Sequence, residues 1–155
     1  MNVVLTREDF DGDVARPLLV ALDAELDERY AGEGIGPPVH HPVDYAPPCG
    51  TFLVARADGV VVGCGALKPG PVAGTGEVKR MYVVPSARGR RVAERLLAGL
   101  VEAARDLGYR RLVLETGVEQ PEALRLYERL GWQPVPGFGH YRDSPLSRCF
   151  GLDLP

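Results

Sequence analysis

Cysteine is scarce in this 155-residue chain: only Cys49, Cys64 and Cys149 occur, far apart. An odd number with no close pair supplies neither a disulfide framework nor the paired ligands of a metal site. Lysine is scarcer still, 2 residues against 16 arginines, a bias that reads as genomic. No apolar run is long enough to cross a bilayer, and no signal peptide is recognisable, so a reducing, cytoplasmic setting without a membrane partner is expected. No internal repeat or low-complexity tract stands out. A Gly-x-x-x-x-Gly-Lys-Ser/Thr pattern is also missing, which leaves a nucleotide-binding α/β domain without its usual signature.

What is present fits one ordinary globular domain over residues 1–155, 45% hydrophobic and 25% charged. The net charge of −3 argues against a general nucleic-acid partner. Charge is unevenly spread. Residues 1–75 hold 5 Lys/Arg against 11 Asp/Glu, and residues 76–155 hold 13 against 10. The basic excess gathers in Lys79, Arg80, Arg88, Arg90, Arg91 and Arg95. Such a cluster is either a solvated helix face or the footprint of a polyanionic small ligand.

Periodicity gives a mixed α/β (α+β-like) chain in the order β-α-β-β-β-α-β-α-β-β. Val3 to Thr6 is a short strand. Asp11 or Asp13 caps a helix reaching about Arg29, with Leu18, Leu19, Leu22 and Leu26 near helical spacing. Ala31 to Gly50 is a long Gly/Pro-rich stretch containing His40 and His41; stretches of this length are usually lids or mobile segments. Thr51–Arg56 and Val60–Leu67 flank the turn Ala57-Asp58-Gly59. Glu77–Val84 is a third strand, stopped by Pro85. A helix from about Arg88 to Leu107 places Val92, Leu96, Leu97, Leu100, Val101 and Ala104 on one stripe, and Gly108 ends it. Arg111–Glu115 is a strand, Pro121 opens a helix that stops before Gly131, and Trp132–Val135 and Arg148–Leu154 close the chain.

The strongest local signal is Met81-Tyr-Val-Val-Pro-Ser-Ala-Arg-Gly-Arg-Arg-Val-Ala93, a strand feeding a basic turn that opens a helix. The first amides of a helix lack intrahelical acceptors and lie at the positive end of its dipole, so they suit a phosphate. Gly89 frees the turn, Arg88 and Arg90 add charge, and Ala93 permits close approach. An arginine-rich turn capping a surface helix is the plainer alternative.

This run resembles motif A of the GNAT superfamily of N-acetyltransferases, Arg/Gln-x-x-Gly-x-Gly/Ala, through Arg88, Arg91 and Ala93. Arg91 stands where the motif has glycine. Downstream, Gln120-Pro-Glu-Ala-Leu-Arg-Leu-Tyr-Glu-Arg-Leu-Gly-Trp132 is similar to the family segment Asn-x-x-Ala-x-x-Leu-Tyr-Glu-x-x-Gly-Phe. The resemblance covers most of residues 51–135. It implies a GNAT-type central mixed sheet of about seven strands flanked by helices, with the strands at 77–84 and 111–115 splayed apart. It implies acetyl-CoA as cosubstrate and no metal. Backbone groups of Met81, Tyr82 and Val83 would bind the pantetheine. Amides of Arg88, Gly89, Arg90, Arg91, Val92 and Ala93 would take the pyrophosphate, with Gln120 and Tyr127 beside the cofactor. The acceptor would be a small-molecule amine or a protein amino group, and a homodimer stays open.

Acetyl transfer to an amine asks for a proton acceptor, because an alkylammonium of pKa about 10 has no lone pair. Glu77 is the candidate base, 11 residues before Arg88 as in some family members; its alternative is an edge glutamate paired with an arginine. Strict alternation puts Glu77, Lys79, Met81 and Val83 on one face, unless a bulge intervenes. Tyr127 is the candidate acid for the leaving thiolate, or a packing tyrosine beside Leu124 and Leu130. His40 and His41 read as plain surface residues, or as lid histidines that bind substrate or relay a proton. Glu115-Thr-Gly117 and Phe138 to Asp143 are candidate linings of the acceptor pocket. The leading function is therefore an acetyl-CoA-dependent N-acetyltransferase; the competing one is a non-catalytic acyl-CoA-binding sensor module.

Overall fold

The computed structural model describes residues 2–31 and 38–155. Its elements follow the expected order: β1 (Val3–Arg7), α1 (Ala15–Arg29), β2 (Thr51–Ala57), β3 (Val60–Pro69), β4 (Thr75–Val83), α2 (Val92–Asp106), β5 (Arg111–Gly117), α3 (Pro121–Arg129), β6 (Gln133–Pro134) and β7 (Ser147–Asp153). The strands form one sheet, ordered β1-β2-β3-β4-β5-β7-β6. Among the described residues only the β4–β5 pair is parallel.

The helices divide between the two faces of the sheet. Ala15, Leu18 and Leu22 of α1 are buried on Phe52, Val54, Cys64, Ala66 and Tyr82. On the other face Leu97, Leu100 and Ala104 of α2 pack with Tyr127 of α3 against Val78, Leu112 and Leu114. Each fully buried leucine contributes about 1.5–3 kcal/mol of transfer free energy, so these two stripes hold the helices to the sheet. The β2–β3 connection turns on Asp58 (φ 50°) and Gly59 (φ 86°), both left-handed as a two-residue hairpin turn demands.

Four expectations are corrected. Neither Asp11 nor Asp13 caps α1. Its N-cap is Val14, with no side-chain cap; a turn closed by Gly12 N–H to Asp9 O lies ahead of it, and Asp13 instead pairs with Arg16 at 2.8 Å. The helix expected from Arg88 begins at Val92, because Gly89 (φ 78°) and Arg91 (φ 64°) adopt left-handed backbone that no right-handed helix accommodates. The 31–50 stretch is not all loop: Pro42–Tyr45 forms a 3-10 turn whose Tyr45 is buried and stacked on Phe10 with ring centroids 4.1 Å apart. Residues 32–37 of that stretch lie outside the described residues.

The fourth correction concerns β4. Its register with β3 passes from Cys64↔Tyr82 to Ala66↔Lys79, so β4 carries one extra residue opposite Gly65. Arg80 takes up that bulge with φ 59°. Left-handed backbone costs a non-glycine residue about 1–2 kcal/mol. The bulge breaks the alternation: Met81 packs toward α2 with Val83, whereas Tyr82 joins the α1 side. Glu77, Lys79, Met81 and Val83 therefore do not share one face.

Gly65 makes room for the bulge. A Cβ there would lie 2.6 Å from the Met81 sulfur and 2.9 Å from Leu100 Cδ1. We expect Gly65→Val to lower stability by about 1–3 kcal/mol through overpacking, read as a reduced midpoint in chemical denaturation. An unchanged midpoint would show that β3 and α2 yield without cost.

Candidate active site

Hydrogen bonding between β4 and β5 runs from Thr75↔Arg111 to Val78↔Leu114 and stops there. β4 continues to Val83 and β5 to Gly117, so the two strands diverge with their facing edges unpaired. A cleft of about 700 Å³ opens at this point. Lys79, Arg80 and Met81 line it from β4, and Glu115, Thr116 and Gly117 from β5. Leu22, Asp23, Leu26 and Asp27 of α1 and Tyr30 at its C-cap wall one side, Tyr127 of α3 and Gln120 at its N-cap another, and Tyr141 and Ser147 complete the lining.

The basic turn lies beyond the open end of β4. The amides of Val92, Ala93 and Glu94 donate to no acceptor among the described residues; the first backbone bond of α2 is Arg95 N–H to Arg91 O at 3.1 Å. A Cβ on Gly89 would meet nothing within 4 Å. These outward amides, with the free β4 edge and an unpartnered buried hydroxyl on Thr116, suit a ligand made of a phosphate and an extended amide chain. The Arg88 side chain is committed elsewhere. Its Nη2 lies 2.6 Å from Glu25 Oε1, its Nε donates to Val83 O at 2.9 Å, and its guanidinium lies 5.7 Å from the Tyr82 ring centroid. Val83 O is thus already taken. Tyr82 and Val83 do not line the cleft, whereas Met81 does.

The two candidate catalytic groups differ in placement. Tyr127 lines the cleft, packed against Trp132 and Phe150 with ring centroids 5.8 and 5.9 Å away. Burial pushes its phenol up to about 12, so it stays protonated at ordinary pH. Packing and lining are both true of it. Glu77 is 7% exposed, is held 3.2 Å from Lys79 Nζ and is not among the cleft-lining residues. Its partner is a lysine two positions along the strand, not an arginine.

Glu115 stands where Glu77 does not. It lines the cleft and accepts a hydrogen bond from Ser147 Oγ at 3.2 Å. Burial raises its carboxyl above the usual range, and Lys79 opposes that rise. His40 also lines the cleft, contrary to its reading as a surface residue, while His41 is exposed. The His40 Nδ1 lies 2.8 Å from the Tyr45 hydroxyl. Burial, then the nearby Arg80 and Lys79 charges, lower its imidazole to about 4, so it is neutral at ordinary pH. Of the two pocket segments expected, 115–117 lines the cleft in full and 138–143 through Tyr141. Leu26 and Tyr30, four residues apart on α1, were legible as one helix face but carried no chemical signature. Gln120 lines the cleft and accepts from Tyr30 Oη at 3.2 Å. Among the described residues no cluster of three or more His, Cys, Asp or Glu is placed to hold a metal ion, and no helix is long and apolar enough to cross a membrane.

The model of the acetyltransferase (GNAT) family matches residues 19–132. The chain belongs to this family. It is 41% identical over 149 residues to an IAA acetyltransferase of Azospirillum brasilense, covering 94% of each chain. It is also similar to a Klebsiella pneumoniae structure described as an acyl-CoA N-acyltransferase, with 33% identity, a TM-score of 0.80 and coverage of 98% of this chain and 97% of that one. A GNAT acetyltransferase of Elizabethkingia anophelis with acetyl-CoA bound shares the fold at a TM-score of 0.70 and 18% identity, covering 99% of both chains. The protein is an acyltransferase of a family that uses acetyl-CoA.

Arg91 occupies the motif position where the family has glycine, and the backbone there explains the preference: φ 64°, ψ 21°. Arg91→Gly should raise stability by about 0.5–1 kcal/mol, the relief of left-handed strain less the added freedom of the unfolded chain. The check is urea denaturation of both proteins; a loss of stability would mean that the Arg91 side chain itself holds the turn.

Proposed function

We propose that the protein transfers the acetyl group of acetyl-CoA directly to a primary amine, both bound at once. The observation that carries this reading is the divergence of β4 and β5 over a cleft lined by a buried phenol and a half-buried carboxyl. Of the Arg88–Ala93 turn, the amides of Gly89, Val92 and Ala93 would hold the pyrophosphate; that of Arg88 already donates to Pro85 O at 3.3 Å. The free edge of β4 around Lys79 to Met81 would pair with the pantetheine as an added strand does. The name of the Azospirillum brasilense relative supports acetyl transfer.

In this reading Glu115, rather than Glu77, receives the proton of the acceptor ammonium as the amine enters the cleft. Its raised carboxyl lies nearer neutrality than an exposed glutamate would, which improves it as a base. The neutral nitrogen attacks the thioester carbonyl carbon. The C–N bond forms, the C–S bond breaks and the sulfur departs as thiolate. Tyr127 gives that sulfur its proton, and the second proton, shed by the nitrogen as the amide forms, passes through water back to the phenol. Glu77 and Lys79 compensate each other's charge beside the reacting groups.

Thiol release from acetyl-CoA against a panel of primary amines tests the activity; tight CoA binding without turnover across the panel would favour an acyl-CoA sensor. Tyr127→Phe should lower kcat by about 100-fold, as loss of a positioned acid does, with CoA affinity unchanged. An unaltered kcat removes Tyr127 as the acid.

The wild-type kcat/KM should fall as pH drops through the raised Glu115 value, because the base works only when deprotonated. Glu115→Gln should abolish that acid limb and Glu77→Gln should keep it. The reverse pattern would return the base to Glu77.

A further inference from the structure

Arg80 is unlike the other arginines of this chain. Its side chain is 9% exposed, yet it lines the cleft. One donor is used: Nη2 lies 2.7 Å from Asp23 Oδ1. Nε is buried with no acceptor, and Nη1 makes no hydrogen bond among the described residues. A guanidinium offers five N–H donors in a planar fork that matches a carboxylate. Asp23 is 58% exposed, so water competes for it, and it engages one edge only. The position is also costly to hold, since Arg80 is the left-handed bulge residue of β4.

Across the cleft stands Glu115. Tyr141 lies within electrostatic reach of both groups, of Glu115 on one side and of Arg80 with Asp23 on the other, so the two face one chamber. Between them the α1 side presents Leu22, Leu26 and the Tyr30 ring as apolar surface, with Asp23 and Asp27 beside them. Of the acidic residues of α1, Asp23 pairs with Arg80 and Glu25 with Arg88, while Asp27 lines the cleft.

We propose that the acceptor is a zwitterion, an α-amino acid with an apolar side chain, whose carboxylate is bound by Arg80 while its amine faces Glu115. This rests on the acetyl-transfer reading above. The ammonium proton passes to Glu115, the nitrogen takes the acetyl group from the thioester, and the thiol and the N-acetylated acid leave. Arg80 takes no part in proton transfer; it fixes the substrate, so its effect falls on KM.

The test compares three compounds that differ only at the carboxylate: L-phenylalanine, L-phenylalaninamide and phenethylamine, with the matching leucine series. Thiol release is measured for wild type, Arg80→Gln and Arg80→Lys. We expect wild-type kcat/KM for the amino acids to exceed that for the amides and simple amines by at least about 10-fold, as loss of a charge-assisted pair does. Arg80→Gln should raise KM for the amino acids and level the series, and Arg80→Lys should restore part of the preference. If the amides or simple amines are turned over as well as the amino acids by wild type, the acetyl-transfer reading stands and this proposal falls; that comparison needs no variant to fold. An equal loss on all three compounds in Arg80→Gln also overturns it. No turnover of any compound, with CoA still bound, overturns both.

Discussion

The site exists because two parallel strands stop sharing hydrogen bonds. β4 and β5 pair as far as Val78↔Leu114 and then separate. An exposed strand edge inside a sheet is a liability unless something meets its amides and carbonyls. The bulge at Arg80 is the local device: one extra residue in β4 turns the strand away from β5 while its other edge stays paired with β3. Gly65 lies opposite the bulge and leaves space for the displaced Met81. The divergence exposes a phenol from one side of the sheet and a carboxyl from the other to the same volume.

What prevents the sheet from opening further is a set of ties across the gap. Arg29 of α1 reaches Glu122 of α3 at 2.6 Å and the Glu119 carbonyl at 2.9 Å, and Tyr30 reaches Gln120. A half-exposed ion pair contributes little by itself, about 0–1 kcal/mol. Here several converge on the start of one helix, whose opposite side is anchored by Tyr127 among Leu97, Leu114, Trp132 and Phe150. The apolar contacts supply the energy and the polar ties set the position of α3 against α1.

Much of this was legible in the sequence, for identifiable reasons. Element order followed from periodicities that switch between 2 and 3.6, and from glycines at Gly59, Gly108 and Gly131, all of which have positive φ. The turn at Arg88–Ala93 and the Tyr127 segment were legible as paired motifs. Less legible was whatever depends on one backbone torsion. Arg80 and Arg91 adopt left-handed φ without being glycine, and neither announces it. The first inverted the expected faces of β4, and the second delayed the start of α2. The α1 side of the cleft was illegible because Leu26 and Tyr30 look like any helix face, and His40 shows its half-buried position only through Tyr45 and Phe10.

The contrast between Glu77 and Glu115 follows from the same divergence. Glu77 faces Val113, and Glu115 lies two residues further along β5, so alternation puts the two carboxylates on one face of the sheet. Glu77 belongs to the part of β4 still paired with β5. There its carboxylate is enclosed and Lys79 supplies its counter-charge. Glu115 follows the last paired residue, so its carboxyl reaches the cleft with a neutral hydroxyl from Ser147 as its hydrogen-bond partner. Burial pushes the Glu115 carboxyl toward taking a proton, with Lys79 and the Ser147 hydroxyl opposing that rise. Spacing to the Arg88–Ala93 turn pointed to Glu77, but the end of strand pairing leaves Glu115, and not Glu77, lining the cleft.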